Sequence, residues 1–281
     1  PYVTLNHTGL QQKERFTSTY TLSLNQDLGM LIKGLRLNVQ GAYTGNNNFT
    51  ETRYVVPELW YYDRRNAAGL LAGSRQTYRK TAEYKKTEEQ YRKYFLQATM
   101  NWAHDFGHGH SLSALIHYEM SDSKKSADAK DSMSAIPNRY QGLSGKVGYN
   151  YSDIYLIDAN FGYTGSENFQ PGRQFGFFPS VSAGWVPSSY NWVKERMPWL
   201  NYLKIRASYG LVGNDRISSK RFPYLTSITV TNSSGGKGWP HLHGDITENV
   251  IGADNLEWEK AKKFDIGFEG KLFNKFDFVV D

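Results

Sequence analysis

The chain has 281 residues, no cysteine, a formal charge of +6 and a mean hydropathy of −0.61. No stretch approaches the ~18 consecutive apolar residues of a membrane helix. The charge, with a pI of about 9.2, reads as a solvated surface spread along the chain plus a polar lumen, not as a nucleic-acid footprint. Low hydropathy does not exclude a membrane, because a barrel strand needs only alternate residues to be apolar. The lack of cysteine fits a bacterial envelope protein and a cytosolic one equally.

The strongest signal is an alternation of period two. Leu35, Leu37, Val39 and Tyr43 alternate with Arg36, Asn38 and Gln40. Leu203, Ile205, Ala207, Tyr209 and Leu211 alternate with Lys204, Arg206 and Ser208, and Phe264, Ile266, Phe268 and Leu272 with Asp265, Glu269 and Lys271. Such segments have one apolar and one polar face as strands. In chain order, strands are expected over about 17–28, 34–45, 91–105, 110–121, 140–151, 154–165, 175–186, 202–212, 260–273 and 276–281. Short turns rich in Gly, Asn, Asp and Ser join them at 29–33, 106–109, 152–153 and 274–275. Long connections fall at 46–90, 122–139, 166–174 and 213–259. The connection 187–201, with a possible helical turn at 192–197, stands where a short turn belongs. Alternating short and long connections are the signature of an antiparallel transmembrane β-barrel.

Aromatic residues make up 15% of the chain, with 20 Tyr and 7 Trp. On the apolar faces, Trp102, Tyr149, Tyr151, Tyr155 and Trp185 fall near short turns, and Tyr43, Tyr94, Tyr118, Tyr163 and Tyr209 near long connections. Rings at both ends of strands suit two membrane interfaces. The opposite faces carry Asn38, Gln40, Gln97, Thr99, Ser111, Ser113, His117, Lys146, Asp158, Asn160, Lys204, Arg206, Asp265 and Glu269, as a wet lumen would. Leu115 and Leu156 break the pattern. No export signal follows Pro1, and the chain stops at Asp281 inside an expected strand, so it reads as part of a longer protein.

Several motifs resemble one family. Gly165 to Trp185, with Glu167, Asn168, Phe169, Pro171, Gly172 and the stretch Phe175 to Pro179, resembles a strand-loop-strand signature of the SusC-type (RagA/SusC) TonB-dependent outer-membrane transporters of glycan-degrading bacteria. Leu203 to Asn214 is similar to that family's "LKLRASYGxxGN" strand. Asn255 to Lys260, followed by Asp265 and Gly267, is similar to its "NPxLKWEK" element, and Phe106 to Leu115 to its turn before a strand. The order and spacing match over roughly 90–281 and more loosely from residue 1. Thr164 stands where Asp is usual, and Ala253-Asp254 where Asn-Pro is usual. The resemblance implies that residues 1–281 are a partial barrel domain, about ten strands of a roughly 22-stranded barrel, with the plug and the remaining strands elsewhere. It implies a place in the cell outer membrane, against its lipid, and uptake of oligosaccharides or similar oligomers. TonB would power it through the plug, and a SusD-like surface lipoprotein would act as lid. Two other readings stay open: a soluble all-β carbohydrate-binding or structural module, and a passive porin.

No segment offers a catalytic constellation: there is no nucleophile elbow, Walker A loop or dinucleotide fingerprint. The expectation is therefore no enzyme, no cofactor, no metal and no nucleic-acid partner. His108/His110 and His241/His243 are close pairs without a Cys or carboxylate set beside them. Asp63-Arg64-Arg65 and the mixed charges of 79–93 could steer an anionic ligand or simply be solvated. Trp60, Tyr61 and Tyr62 in the first long connection, and Trp239 in the last, are the candidate substrate-binding residues. Flat rings on polar loops stack on the apolar faces of sugars, or equally hold a loop together.

The alternation predicts that Leu35, Leu37, Val39, Leu112, Ala114 and Ile116 face lipid, and that Asn38, Gln40, Ser111 and Ser113 face the lumen. Single cysteines in the full-length protein test this: a membrane-impermeant thiol reagent should label position 40 strongly and position 39 weakly. The reverse result would overturn the registration.

Overall fold

A computed structural model describes residues 8–78, 80–126, 136–216, 221–231, 245–253 and 255–281. In chain order the strands are β1 (Gly9–Asp27), β2 (Leu35–Tyr54), β3 (Leu59–Arg65), β4 (Leu71–Thr77), β5 (Glu83–Gly107), β6 (His110–Lys125) and β7 (Asn138–Tyr151). They continue as β8 (Tyr155–Gly165), β9 (Phe175–Trp185), β10 (Leu200–Asn214), β11 (Ser227–Thr231), β12 (Asp245–Val250), β13 (Glu259–Leu272) and β14 (Phe276–Val280). One six-residue helix, α1 (Asn191–Arg196), lies between β9 and β10. Ten strands form one sheet in the order β1-β2-β5-β6-β7-β8-β9-β10-β13-β14, with β3-β4 and β11-β12 as separate two-stranded ribbons. All ten expected strands are present. No helix among the described residues is long and apolar enough to cross a membrane.

The expected long connections at 46–90 and 213–259 need correction. β2 runs on to Tyr54, β5 starts at Glu83, and hairpins occupy much of what lies between and beyond. The physical reason is that strands such as residues 46–54 and 83–90 are polar on both faces. Their ladder persists while the period-two signal vanishes.

The chain divides into two compact units, residues 1–20, 43–93 and 123–136, and residues 21–42, 94–122 and 137–281. In the second unit the registers assemble continuous rows of side chains. One face carries Tyr151, Tyr155, Trp185, Ile205, Phe268 and Val280; then Tyr149, Ile157, Ala183, Ala207 and Ile266; then Val147, Ala159, Val181, Tyr209 and Phe264. The other face carries Asp158, Ser182, Ser208 and Asp265 in one row. Beside them, Lys146 lies 3.1 Å from Asp158 and Lys204 3.8 Å from Glu269. Arg206 pairs with Asp281, lies 4.0 Å from Asp265 and has Nε 3.2 Å from Glu269, off the line a hydrogen bond needs. Gln97 donates to Gln40, and Thr99 meets His117 Nδ1 at 2.8 Å. Leu156, which broke the pattern, lies over Gly184 beside Lys204 on this polar face.

The apolar rows stay uncovered: Val147, Ile157 and Val181 are each about half exposed. Among the described residues the only buried apolar side chains are Phe169, Val186, Val193 and Phe222. A soluble module of this length would need a far larger core, because burial of apolar surface is what offsets chain entropy. Bare apolar rows of this kind are what a lipid-facing sheet presents.

The small core there is gathers the separate sequence motifs. Phe169 is fully buried against Trp258 (centroids 5.2 Å), and Phe178 meets the same indole edge-on at 5.1 Å. Trp258 Nε1 donates to Gln174 O (3.2 Å), Ser166 Oγ to Asp215 (2.8 Å) and Asn168 Nδ2 to Asp215 O (3.1 Å). A Cβ at Gly213 would lie 2.0 Å from the Phe178 ring, so glycine there makes the seat. Two-residue turns are set by left-handed pairs, Ser152-Asp153 and Phe273-Asn274, all with φ of 52–57°.

In the first unit, Tyr54 donates to Glu83 (2.6 Å), and this bond holds the Tyr54 phenol above its usual pKa; Glu51 does the same for Tyr84. This unit also corrects the expectation of a spread charge. It holds 15 Lys and Arg against 9 Asp and Glu, whereas the second unit holds 18 of each. The whole net charge of +6 therefore sits in the first unit.

The rows give a direct test. Val181→Arg, mid-strand on the apolar face, should destabilise the full-length protein in lipid by about 2–4 kcal/mol. Ser182→Ala, one residue on and facing the other way, should change it by about 0.5 kcal/mol or less. Reversible unfolding from lipid vesicles measures both.

Candidate functional site

The aromatic residues singled out in the sequence lie on a hairpin of the first unit. It turns at residues 66–69, where Asn66 Oδ1 accepts from the N–H groups of Ala68 (3.0 Å) and Leu70 (2.9 Å), and Gly69 takes the left-handed φ of 77°. At its base, Thr77 Oγ1 donates to Pro57 O (2.6 Å) and accepts from Leu59 N–H (3.0 Å). The pairs run Arg65↔Leu71, Arg64↔Ala72, Tyr62↔Gly73, Tyr61↔Ser74, Trp60↔Arg75 and Leu59↔Thr77. Asp63 is thus bulged out of β3 and Gln76 out of β4.

That bulge decides which side chains meet. Leu71, Gly73 and Arg75 alternate without interruption, so their partners Arg65, Tyr62 and Trp60 share one face with Arg75. Tyr61 is on the other face. The Trp60 and Tyr62 rings lie nearly parallel, 6.4 Å apart at 23°, and each is about half exposed. The Arg75 guanidinium lies 5.5 Å from the Trp60 ring centroid and 4.1 Å from that of Tyr78. Glu58 fixes the pair, accepting from Trp60 Nε1 (2.7 Å) and lying 3.7 Å from Arg75. Arg65 Nη1 donates to Gly69 O (2.7 Å). The arrangement is a flat aromatic step with a guanidinium position at each end. Among its described residues there is no nucleophile–base pair.

The structure therefore brings Trp60 and Tyr62 together, separates Tyr61 from them, and adds Glu58, Arg75 and Tyr78, which sequence reasoning missed. Trp239 lies outside the described residues, as do His241 and His243. His110 Nδ1 is 2.7 Å from the Tyr149 hydroxyl, with its ring against Tyr151 (4.6 Å). In the second unit a cleft of about 440 Å³ is lined by Asp122, Arg139, Tyr140, Glu167 and Phe175. Its charges are already matched, Arg139 to Asp122 at 2.9 Å and Glu167 to Arg221 at 3.2 Å.

A family model described as TonB dependent receptor-like, beta-barrel, matches residues 2–281. The chain belongs to this family. Its sheet is accordingly part of an antiparallel transmembrane barrel, with the apolar rows toward lipid and the charged rows toward the lumen. The family is one of transporters and receptors, not enzymes. The chain is 31% identical over 141 residues to TonB-dependent receptor P39 of Formosa agariphila, a match covering 50% of this chain and 13% of that protein. It is 26% identical over 140 residues to TonB-dependent receptor SusC of Bacteroides thetaiotaomicron, covering 50% and 14%. The match to SusC bears out the SusC-like resemblance. Among solved structures, the RagAB peptide transporter superimposes with a TM-score of 0.64 at 18% identity, over 97% of this chain and 30% of that one. The chain thus spans only a small part of the relatives it matches.

The hairpin geometry is itself testable in this family member. A Cβ at Gly73 would lie 2.2 Å from Tyr61 O, a backbone atom that cannot move without parting the strands. Gly73→Ala should open β3 from β4 and leave the transmembrane strands intact. Hydrogen exchange of the amides of residues 59–77 should accelerate by at least about tenfold, equivalent to about 1.4 kcal/mol. Exchange in the ten-stranded sheet should be unchanged.

Proposed function

We propose that this chain is part of the barrel of a TonB-dependent outer-membrane importer of oligosaccharides or similar oligomers. In this reading residues 1–281 are about ten of roughly 22 strands. A plug and the other strands come from the rest of the protein, TonB drives the plug, and a SusD-like surface lipoprotein forms the lid. Support for the transporter comes from the family membership and from a sheet with one lipid-facing and one charged face. The resemblance to SusC-type proteins supports the lid.

The observation that carries the cargo class is the Trp60–Tyr62 step. Two near-parallel, half-exposed rings offer stacking area to ligands with flat apolar faces, as pyranose rings have. Arg75 lies over part of the Trp60 ring, yet both rings stay about half exposed, whereas rings that merely pack a loop become buried.

Uptake by cells producing the full-length protein and its lipoprotein tests the proposal. Import of labelled oligosaccharides should require TonB. Trp60→Ala with Tyr62→Ala should weaken it roughly fivefold, about 1 kcal/mol of lost stacking, at unchanged outer-membrane abundance. Adding Trp239→Ala should deepen the loss. Import that persists without TonB would indicate a porin. Import of peptides alone, the cargo named for RagAB, would replace the cargo class.

A further inference from the structure

We infer that the hairpin face made by Arg75, Trp60, Tyr62 and Arg65 takes an acidic oligosaccharide, one bearing carboxylate or sulfate groups, in preference to a neutral one. The inference rests on the transporter reading above and adds to it the charge of the cargo.

Three observations converge on it. The first is the constellation. Arg75 and Arg65 stand opposite Trp60 and Leu71, four residues apart along β4, or about 13 Å at about 3.3 Å per residue. The two rings lie between them on the same face. A ligand stacked across the rings therefore brings its substituents within reach of two guanidinium groups, whose planar fork of donors matches carboxylate and sulfate oxygens. The second is pairing. Glu58 lies 3.7 Å from Arg75 and offsets part of its charge, while accepting from Trp60 Nε1 and so keeping Arg75 beside that ring. Arg65 donates to a backbone carbonyl in the turn, and among the described residues neither it nor Arg64 next to it makes an ion pair. The third is the field. The whole surplus of +6 belongs to the unit that bears this hairpin, and the unit with the barrel rows is neutral. A segregated positive potential raises the local concentration of anions and speeds their capture.

A lipid phosphate surface such as lipopolysaccharide would also answer to positive charge. Rings also suit a membrane interface, but two near-parallel rings held 6.4 Å apart beside both arginines offer the flat stacking area that favours a sugar chain.

The test uses the full-length transporter with its lipoprotein and two matched pairs of probes: oligogalacturonate against its methyl ester, and sulfated dextran oligosaccharides against plain dextran oligosaccharides. At low salt the acidic member of at least one pair should bind roughly fivefold tighter, the scale of two exposed charge pairs. That preference should shrink on raising the salt from 50 to 500 mM (chosen conditions), as screening lengths fall from ~14 to ~4 Å. Arg65→Gln with Arg75→Gln should bring the acidic-to-neutral ratio close to one, and Arg65→Lys with Arg75→Lys should keep most of it. Equal binding of acidic and neutral probes in both pairs overturns the inference while leaving the transporter reading intact. A preference that survives the glutamine pair overturns it too, because the selecting charge would lie elsewhere. If the glutamine pair instead weakens only binding of lipopolysaccharide micelles, the face is a lipid contact and the inference falls. Loss of TonB-dependent import for every probe would count against the transporter reading separately.

Discussion

Everything in this molecule follows from the need to satisfy backbone N–H and C=O groups where one side of the sheet meets hydrocarbon. A polar backbone group left unpaired in lipid costs several kcal/mol, so a chain that crosses with strands must keep an unbroken ladder. The ladder fixes the alternation, and the alternation fixes composition. Val147, Ala159, Val181, Tyr209 and Phe264 line up toward lipid because their neighbours Lys146, Asp158, Ser182, Ser208 and Asp265 line up the other way. It also explains how a chain with mean hydropathy −0.61 can be a membrane protein. Its apolar surface is turned outward, and the usual packed interior is nearly absent.

Within that frame the few buried side chains act as fasteners. Phe169, Phe178 and Trp258 come from segments up to 89 residues apart in sequence, yet share one cluster. Gly176 and Gly213 leave room for the Phe178 ring, and Asp215 ties the loop after β8 to the end of β10 through Ser166 and Asn168. The motifs that carry the family resemblance are thus the pieces of one joint. They are shared for architecture, and for this reason they announce the fold without naming the cargo.

Polar strand extensions obey a different rule. With water on both faces, β2 beyond Tyr43 and β5 before Tyr94 are free of the apolar constraint, and they carry ionic and amide contacts such as Arg15 to Asn46, Gln11 to Thr52 and Tyr54 to Glu83. Freed from lipid, this unit can carry net charge and exposed rings, the two properties a recognition surface needs. The lumen-facing rows must balance their charges at close range instead, as Arg206 does with Glu269 and Asp281.

The sequence by itself determined the ten strands of the sheet, their two faces, the short turns and the family. Period two is a property of each strand alone and needs no partner to be read. It also pointed to Trp60, Tyr61 and Tyr62, because large rings among polar neighbours stand out in composition. It could not show that residues 46–54 and 83–90 are strand, since two wet faces leave no periodic trace. Nor could it show which rings cooperate. Counting back from the turn at Asn66 puts Trp60 opposite Gln76 and Tyr62 on the face away from Arg65. The bulge at Asp63 moves the register by one, brings Trp60 opposite Arg75 and sets both rings beside both arginines. A one-residue slip exchanges the faces of a strand. Such a slip is fixed by hydrogen bonds between strands, and only the folded structure holds that information.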